Sequence, residues 1–125
     1  MLRDYSAPEI KRDIGMDKTA RDAIVEGLTR VVNGPGVRSD IYHSTTGEKL
    51  FRSYPKRALP IAGKTGTAQG AGNLPWNDSS AFAAFSKNPN IPYTAVAYLE
   101  KSGFGSRAAA PVVKCVFLAL TGANA

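Results

Sequence analysis

The run Lys64-Thr65-Gly66-Thr67 gathers the groups of this sequence best suited to hold an anion. In an extended strand, side chains alternate, so positions 64 and 66 point one way and 65 and 67 the other. An ammonium and two hydroxyls are donors for a carboxylate. Gly66 removes a side chain where another molecule must come close to the backbone. A free strand edge adds main-chain hydrogen bonds to a bound peptide. The chemistry this points to is the grip of an extended, anionic peptide along an edge strand. Taken alone, the four residues also fit a turn with incidental polar side chains.

The pattern around the run supplies elements to position it. Residues 1–16 are polar and irregular apart from Ile10 and Ile14. Asp17 can cap a helix in which Ala20, Ile24, Leu28 and Val31 recur at helical spacing. Asn33-Gly34-Pro35-Gly36 stops it, since glycine accepts a left-handed turn and proline cannot continue. Residues 37–57 are basic and turn-rich without periodicity, a second irregular segment. Strands are predicted over 59–69, 80–86 and 92–100, the first carrying Lys64 to Thr67. Lys87-Asn88-Pro89-Asn90 is a hairpin-like turn, and the short connections predict antiparallel neighbours. A closing helix is predicted from Ser106 or Arg107, with Pro111 in its first turn and Gly122 at its end. Its expected packing face is Ala109, Val113, Val116, Phe117 and Leu120. The fold class is therefore α+β: a three-stranded antiparallel sheet covered by a C-terminal helix, in one unit over 1–125.

Composition narrows the function classes. A 125-residue chain with 43% hydrophobic and 21% charged residues reads as globular rather than disordered. The longest apolar stretch, Cys115 to Leu120, is far too short to span a bilayer, and no signal-peptide pattern follows Met1. The formal charge of +6 suits an anionic partner or simply a solvated basic surface. The basic residues are scattered with no interleaved aromatics, which argues against nucleic acid. The single cysteine, Cys115, excludes a disulfide within the chain and reads as a small buried hydrophobe. His43, the only histidine, has no partner pattern around it; no metal site and no cofactor are expected.

Beyond these residues, a longer stretch carries a family resemblance. Lys-Thr-Gly is the third motif of β-lactamases and penicillin-binding proteins. Here it lies within Ala62-Gly63-Lys64-Thr65-Gly66-Thr67-Ala68-Gln69, which closely resembles class B penicillin-binding proteins, especially the cell-elongation type. Ser80-Ala81-Phe82-Ala83-Ala84-Phe85 and Pro92-Tyr93-Thr94-Ala95-Val96-Ala97-Tyr98 resemble the family's next two strands. Gly105-Ser106-Arg107-Ala108-Ala109-Ala110-Pro111 resembles the start of its closing helix. Ile24 to Val32 followed by Gly34-Pro35-Gly36 resembles the helix and turn before the lysine strand, so the likeness runs from about residue 8 to 121.

The resemblance implies the serine β-lactamase/DD-transpeptidase fold. It implies part of an enzyme that cross-links peptidoglycan stem peptides by acyl transfer through a serine, and that binds β-lactams. Lys64 would orient the substrate carboxylate and the protons around the nucleophile. Thr65 and Thr67 would contact that carboxylate, Gly66 would admit the substrate, and the Thr67 N–H would be half of the oxyanion hole, a donor worth about 3–4 kcal/mol. It also implies a membrane-anchored parent protein on the extracytoplasmic face of the bacterial cytoplasmic membrane.

Two further family motifs, Ser-x-x-Lys and Ser-x-Asn, are not in their proper order. Ser53-Tyr54-Pro55-Lys56 fits the first in letters, but Pro55 and its place just before the lysine strand argue against a nucleophile helix. Ser86-Lys87-Asn88 fits the second but falls after the lysine strand, in a turn. The expected partners are the stem peptide and either a preceding part of the domain or a second copy, packing on exposed apolar surface. Read as an isolated chain, it is expected to be inactive. The alternatives are a non-catalytic α+β unit that binds peptides or a partner, and part of a serine β-lactamase.

Overall fold

The computed structural model of the chain describes residues 11–33, 51, 53–70, 72, 77–120 and 122. Helix α1 spans Lys18–Asn33, strands β1, β2 and β3 span Ile61–Ala68, Ser79–Ser86 and Thr94–Leu99, and helix α2 spans Ala109–Leu120. The arrangement is α+β, with the sheet ordered β1-β2-β3 and antiparallel throughout.

Register makes the two faces of the sheet unlike. Thr65 lies opposite Phe82, which lies opposite Ala97; Thr67, Ser80 and Leu99 form the neighbouring row. Phe82, Ser80, Ala84 and Ala97 on this face are buried. Helix α2 packs against β2 and β3, while α1 packs against β1. The other face carries the rows Lys64–Ala83–Val96 and Gly66–Ala81–Tyr98. Here Lys64 and Ala83 are exposed, Val96 is 69% exposed and Tyr98 57%. One face is thus core, and the other is an open apolar and small-residue surface from Lys64 onward, with Ala62 buried at its start.

Both helices meet the core differently from the expected stripes. Asp17 caps α1 as predicted, its Oδ2 accepting from Ala20 N at 3.0 Å. Lys18–Asp22 and Glu26–Arg30 pair along the exposed side, where such pairs contribute little. Ala20 and Ile24 are exposed, Leu28 and Val31 half-buried, and only Val32 is buried. The burial lies at the last turn because only that end meets the body of the domain. In α2 the buried residues are Ala109, Ala110, Val113, Phe117 and Leu118. Val116 and Leu120, expected inside, are exposed, as is Cys115. Apart from Lys114 the helix is apolar all round, so hydropathy alone did not select which side would meet the sheet. It starts at Ala109 rather than at Ser106 or Arg107, because residues 104–108 first form a turn, with Arg107 N and Ala108 N both donating to Phe104 O. It ends as expected ahead of Gly122, which has φ +65°.

Of the segments read as irregular, 1–10, 34–50 and 52 lie outside the described residues, and with them His43 and the Gly34-Pro35-Gly36 turn. Residues 51 and 53–57 carry no helix or strand, yet Phe51 and Tyr54 join the core. The Phe51 ring centroid is 6.1 Å from that of Phe82 and 5.5 Å from that of Tyr54, the latter pair edge-to-face. Alternation does not reveal these two anchors because the turn that carries them is held by local bonds, such as Leu59 N to Pro55 O at 2.9 Å. The Tyr54 hydroxyl is buried without a hydrogen-bond partner among the described residues, and burial pushes its pKa well above the usual tyrosine range.

Two stability predictions follow from this core. Phe82→Ala should cost about 3–5 kcal/mol in urea unfolding, whereas Val96→Thr on the open face should change stability by less than about 0.5 kcal/mol. Tyr54→Phe removes an unpaired buried hydroxyl and should be neutral or stabilising at pH 7. The phenol ionises more readily in the unfolded chain. The stability it supports is therefore complete below about pH 10 and falls as pH rises beyond it. Tyr54→Phe should flatten that alkaline fall, which unfolding curves between pH 8 and pH 11 would read.

Candidate functional site

Lys64, Thr65, Gly66 and Thr67 are four consecutive residues of β1, at one edge of the sheet. Among the described residues no strand pairs with the outer edge of β1. The side chains divide by register. Lys64 and Gly66 belong to the open face, while Thr65 and Thr67 share the rows of Phe82 and Ser80. Lys64 is exposed and its Nζ donates to Thr65 O at 2.9 Å, so the ammonium folds back along its own strand. Thr65 and Gly66 are half-buried, and Thr67 is exposed.

The ground beside Thr67 is a network of short polar contacts. Ser80, its register partner, is fully buried, and its Oγ lies 2.8 Å from Ser102 Oγ. Ser102 Oγ donates to Leu99 O at 2.7 Å, so its one proton is committed and Ser80 must be the donor between the two hydroxyls. Asp78 ties both flanks: its Oδ1 accepts from Gly70 N at 3.0 Å, and its carbonyl accepts from Gly103 N at 2.8 Å. Lys101 N reaches Ser79 Oγ at 3.4 Å, with Lys101 in the left-handed region at φ 49°. Finally, Gly105 N donates to Thr67 Oγ1 at 3.4 Å. The start of β2, the turn after β3 and the approach to α2 therefore all converge on the Thr67 end of β1.

The sequence reading singled out the four strand residues but assigned nothing to Asp78, Ser80, Ser102 or Gly105. Ser80 and Gly105 open the runs 80–85 and 105–111 that carry the family likeness. Their contacts are 22 and 38 residues apart in sequence, beyond the reach of any local pattern.

The two out-of-order motifs have structural employment. Ser53 and Lys56 lie in a turn rather than on a helix, and the amine 3.4 Å from Ser53 Oγ belongs to Lys114 of α2. Ser86 Oγ accepts from Asn88 N at 3.0 Å, and Asn88 Nδ2 donates to Ala58 O at 3.2 Å. These contacts close the turn after β2 onto the approach to β1. Among the described residues no cluster of His, Cys, Asp or Glu could hold a metal, and no helix is long and apolar enough to cross a membrane.

Removing the Asp78 carboxylate should loosen the Thr67 end without unfolding the domain. Asp78→Ala is expected to cost about 1–2 kcal/mol and to speed amide exchange at Gly70, measured by denaturant titration and hydrogen exchange.

A family model described as the penicillin binding protein transpeptidase domain matches residues 2–118. No curated protein and no solved structure matches the chain.

Proposed function

The chain belongs to the penicillin-binding protein transpeptidase domain family, and we propose that it contributes the substrate-holding strand of a peptidoglycan DD-transpeptidase. Membership supports a penicillin-binding, transpeptidase-type function, with peptidoglycan as substrate and β-lactams as ligands in general. The finer assignment is to a class B enzyme of the elongation type, acting on the extracytoplasmic face of the cytoplasmic membrane. The motif wording around Lys64 supports it.

The observation that carries the reading is the placement of Lys64-Thr65-Gly66-Thr67 on an edge strand. An extended stem peptide laid along that edge gains main-chain hydrogen bonds, as in strand addition generally. The hydroxyls of Thr65 and Thr67 then bind its terminal carboxylate from one face of the strand, and Lys64, on the other face, orients it through its charge at the edge. Gly66 leaves the backbone approachable, and the Thr67 N–H stabilises the oxyanion as the acyl carbon becomes tetrahedral. None of these groups makes the attack. On this reading the serine nucleophile and its lysine base come from outside this chain, which is supported by Ser53 and Lys56 sharing no helix turn. The open sheet face, with Val96 and Tyr98, is the surface on which the nucleophile-bearing part of the domain packs.

The test separates grip from attack. Diacetyl-L-Lys-D-Ala-D-Ala should bind the chain at least tenfold better than its C-terminal amide, and Lys64→Ala should abolish that preference. Incubation with a fluorescent penicillin should leave the 125-residue chain unlabelled by mass spectrometry. A stable acyl adduct on any serine, Ser53 above all, would refute the assignment of an external nucleophile. Equal binding of acid and amide would refute the carboxylate role of the strand.

A further inference from the structure

Gly105 stands where the turn before α2 crosses the buried side of the sheet, next to the Thr67 row. A Cβ built at Gly105 would lie 2.2 Å from Gly66 O, 2.4 Å from Ala81 O and 3.0 Å from Gly66 N. All three are backbone atoms of paired strands and cannot swing aside, so no residue but glycine fits this crossing. Gly105 is buried, and its carbonyl accepts from Ala110 N at 2.9 Å in the first turn of α2. Its N–H meets Thr67 Oγ1 at 3.4 Å, a long contact but one with a definite polarity.

That polarity has a consequence. A threonine hydroxyl has one proton and two lone pairs. Once Oγ1 accepts from the Gly105 N–H, the lone pair facing the turn is occupied, and the hydroxyl proton must be directed elsewhere. Among the described residues no protein acceptor takes that proton. A hydroxyl arranged in this way is a ready donor, and it bonds an anionic oxygen more strongly than the oxygen of a neutral amide.

We propose that Gly105 is a positioning residue for the substrate carboxylate: it clamps the turn before α2 onto Gly66 and Ala81, and through its N–H it sets Thr67 Oγ1 as a hydrogen-bond donor toward the ligand. The proposal rests on the carboxylate reading of the Lys64 strand, and it assigns the closing helix a part in substrate discrimination. Gly105 itself touches no ligand; it acts through Thr67.

Two measurements on the full chain test it. The first needs no ligand. In Thr67→Val the Gly105 amide loses its acceptor, and its hydrogen exchange should accelerate severalfold, while Thr67→Ser should leave it near wild type. The second uses diacetyl-L-Lys-D-Ala-D-Ala and its C-terminal amide as probes. Gly105→Ala should lower the preference for the acid about tenfold in the Thr67 background and should change nothing further in Thr67→Val. A general structural defect would instead weaken both probes alike and add to the Thr67→Val effect, and that outcome overturns the proposal. An unchanged Gly105 amide in Thr67→Val overturns it as well. If wild type does not distinguish acid from amide, the carboxylate reading of the strand fails, and the exchange experiment still decides whether Gly105 sets the Thr67 hydroxyl.

Discussion

The packing of Phe82 across β1 at Gly63 is the contact on which the rest of the structure depends. A Cβ at position 63 would lie 2.8 Å from the Phe82 ring, so the ring occupies the space a side chain would have filled. Phe82 is 1% exposed and meets Phe51 on its other side, which carries the core outward to Tyr54. A strand slip of one residue would turn Phe82 to the open face and bury Ala81 or Ala83 in its stead. The same ring therefore locks the β1–β2 register. That register sets Lys64 and Gly66 on one face and Thr65 and Thr67 on the other.

A second constraint acts at the far end of the strand. There the chain is held by polar bonds and by the close crossing of Gly105 over Gly66. Ser80 donates to Ser102, Ser102 donates to Leu99 O, and Asp78 joins the Gly70 and Gly103 amides. Polar networks of this kind hold geometry when every member is satisfied, at the cost of tolerating few replacements. The Thr67 end of the strand is accordingly built for position, and the Phe82 end for stability.

The division of the sheet into a covered and an open face gives the family membership its structural sense. Helix α2 supplies one layer against β2 and β3. Val96 and Tyr98 present apolar surface on the other side, and Val112, Val116 and Leu120 do so on the back of α2. A domain normally buries both faces of a sheet that carries small and apolar residues on each. The exposed rows leave the second face of this sheet without a covering layer among the described residues.

The sequence by itself determined the element types, their order and the strand that carries the Lys64 to Thr67 run. Each of these rests on local physics: alternation for strands, the Asp17 cap and Gly122 for helix ends, and a lysine and hydroxyls in one short run. It did not determine which side of each helix is buried. Apart from Lys114, helix α2 is apolar all round, and α1 meets the core only near Val32, so no stripe in the letters could reveal the contact side. For the same reason Cys115, which reads as a core residue, lies outside. Nor could local pattern place Phe51 and Tyr54 in the core from a segment without periodicity. At the site, Lys64 to Thr67 was legible because its chemistry is contiguous. The residues around its Thr67 end, Asp78, Ser80, Ser102 and Gly105, were settled only by tertiary structure, since they meet through register and a backbone crossing between segments far apart in the chain.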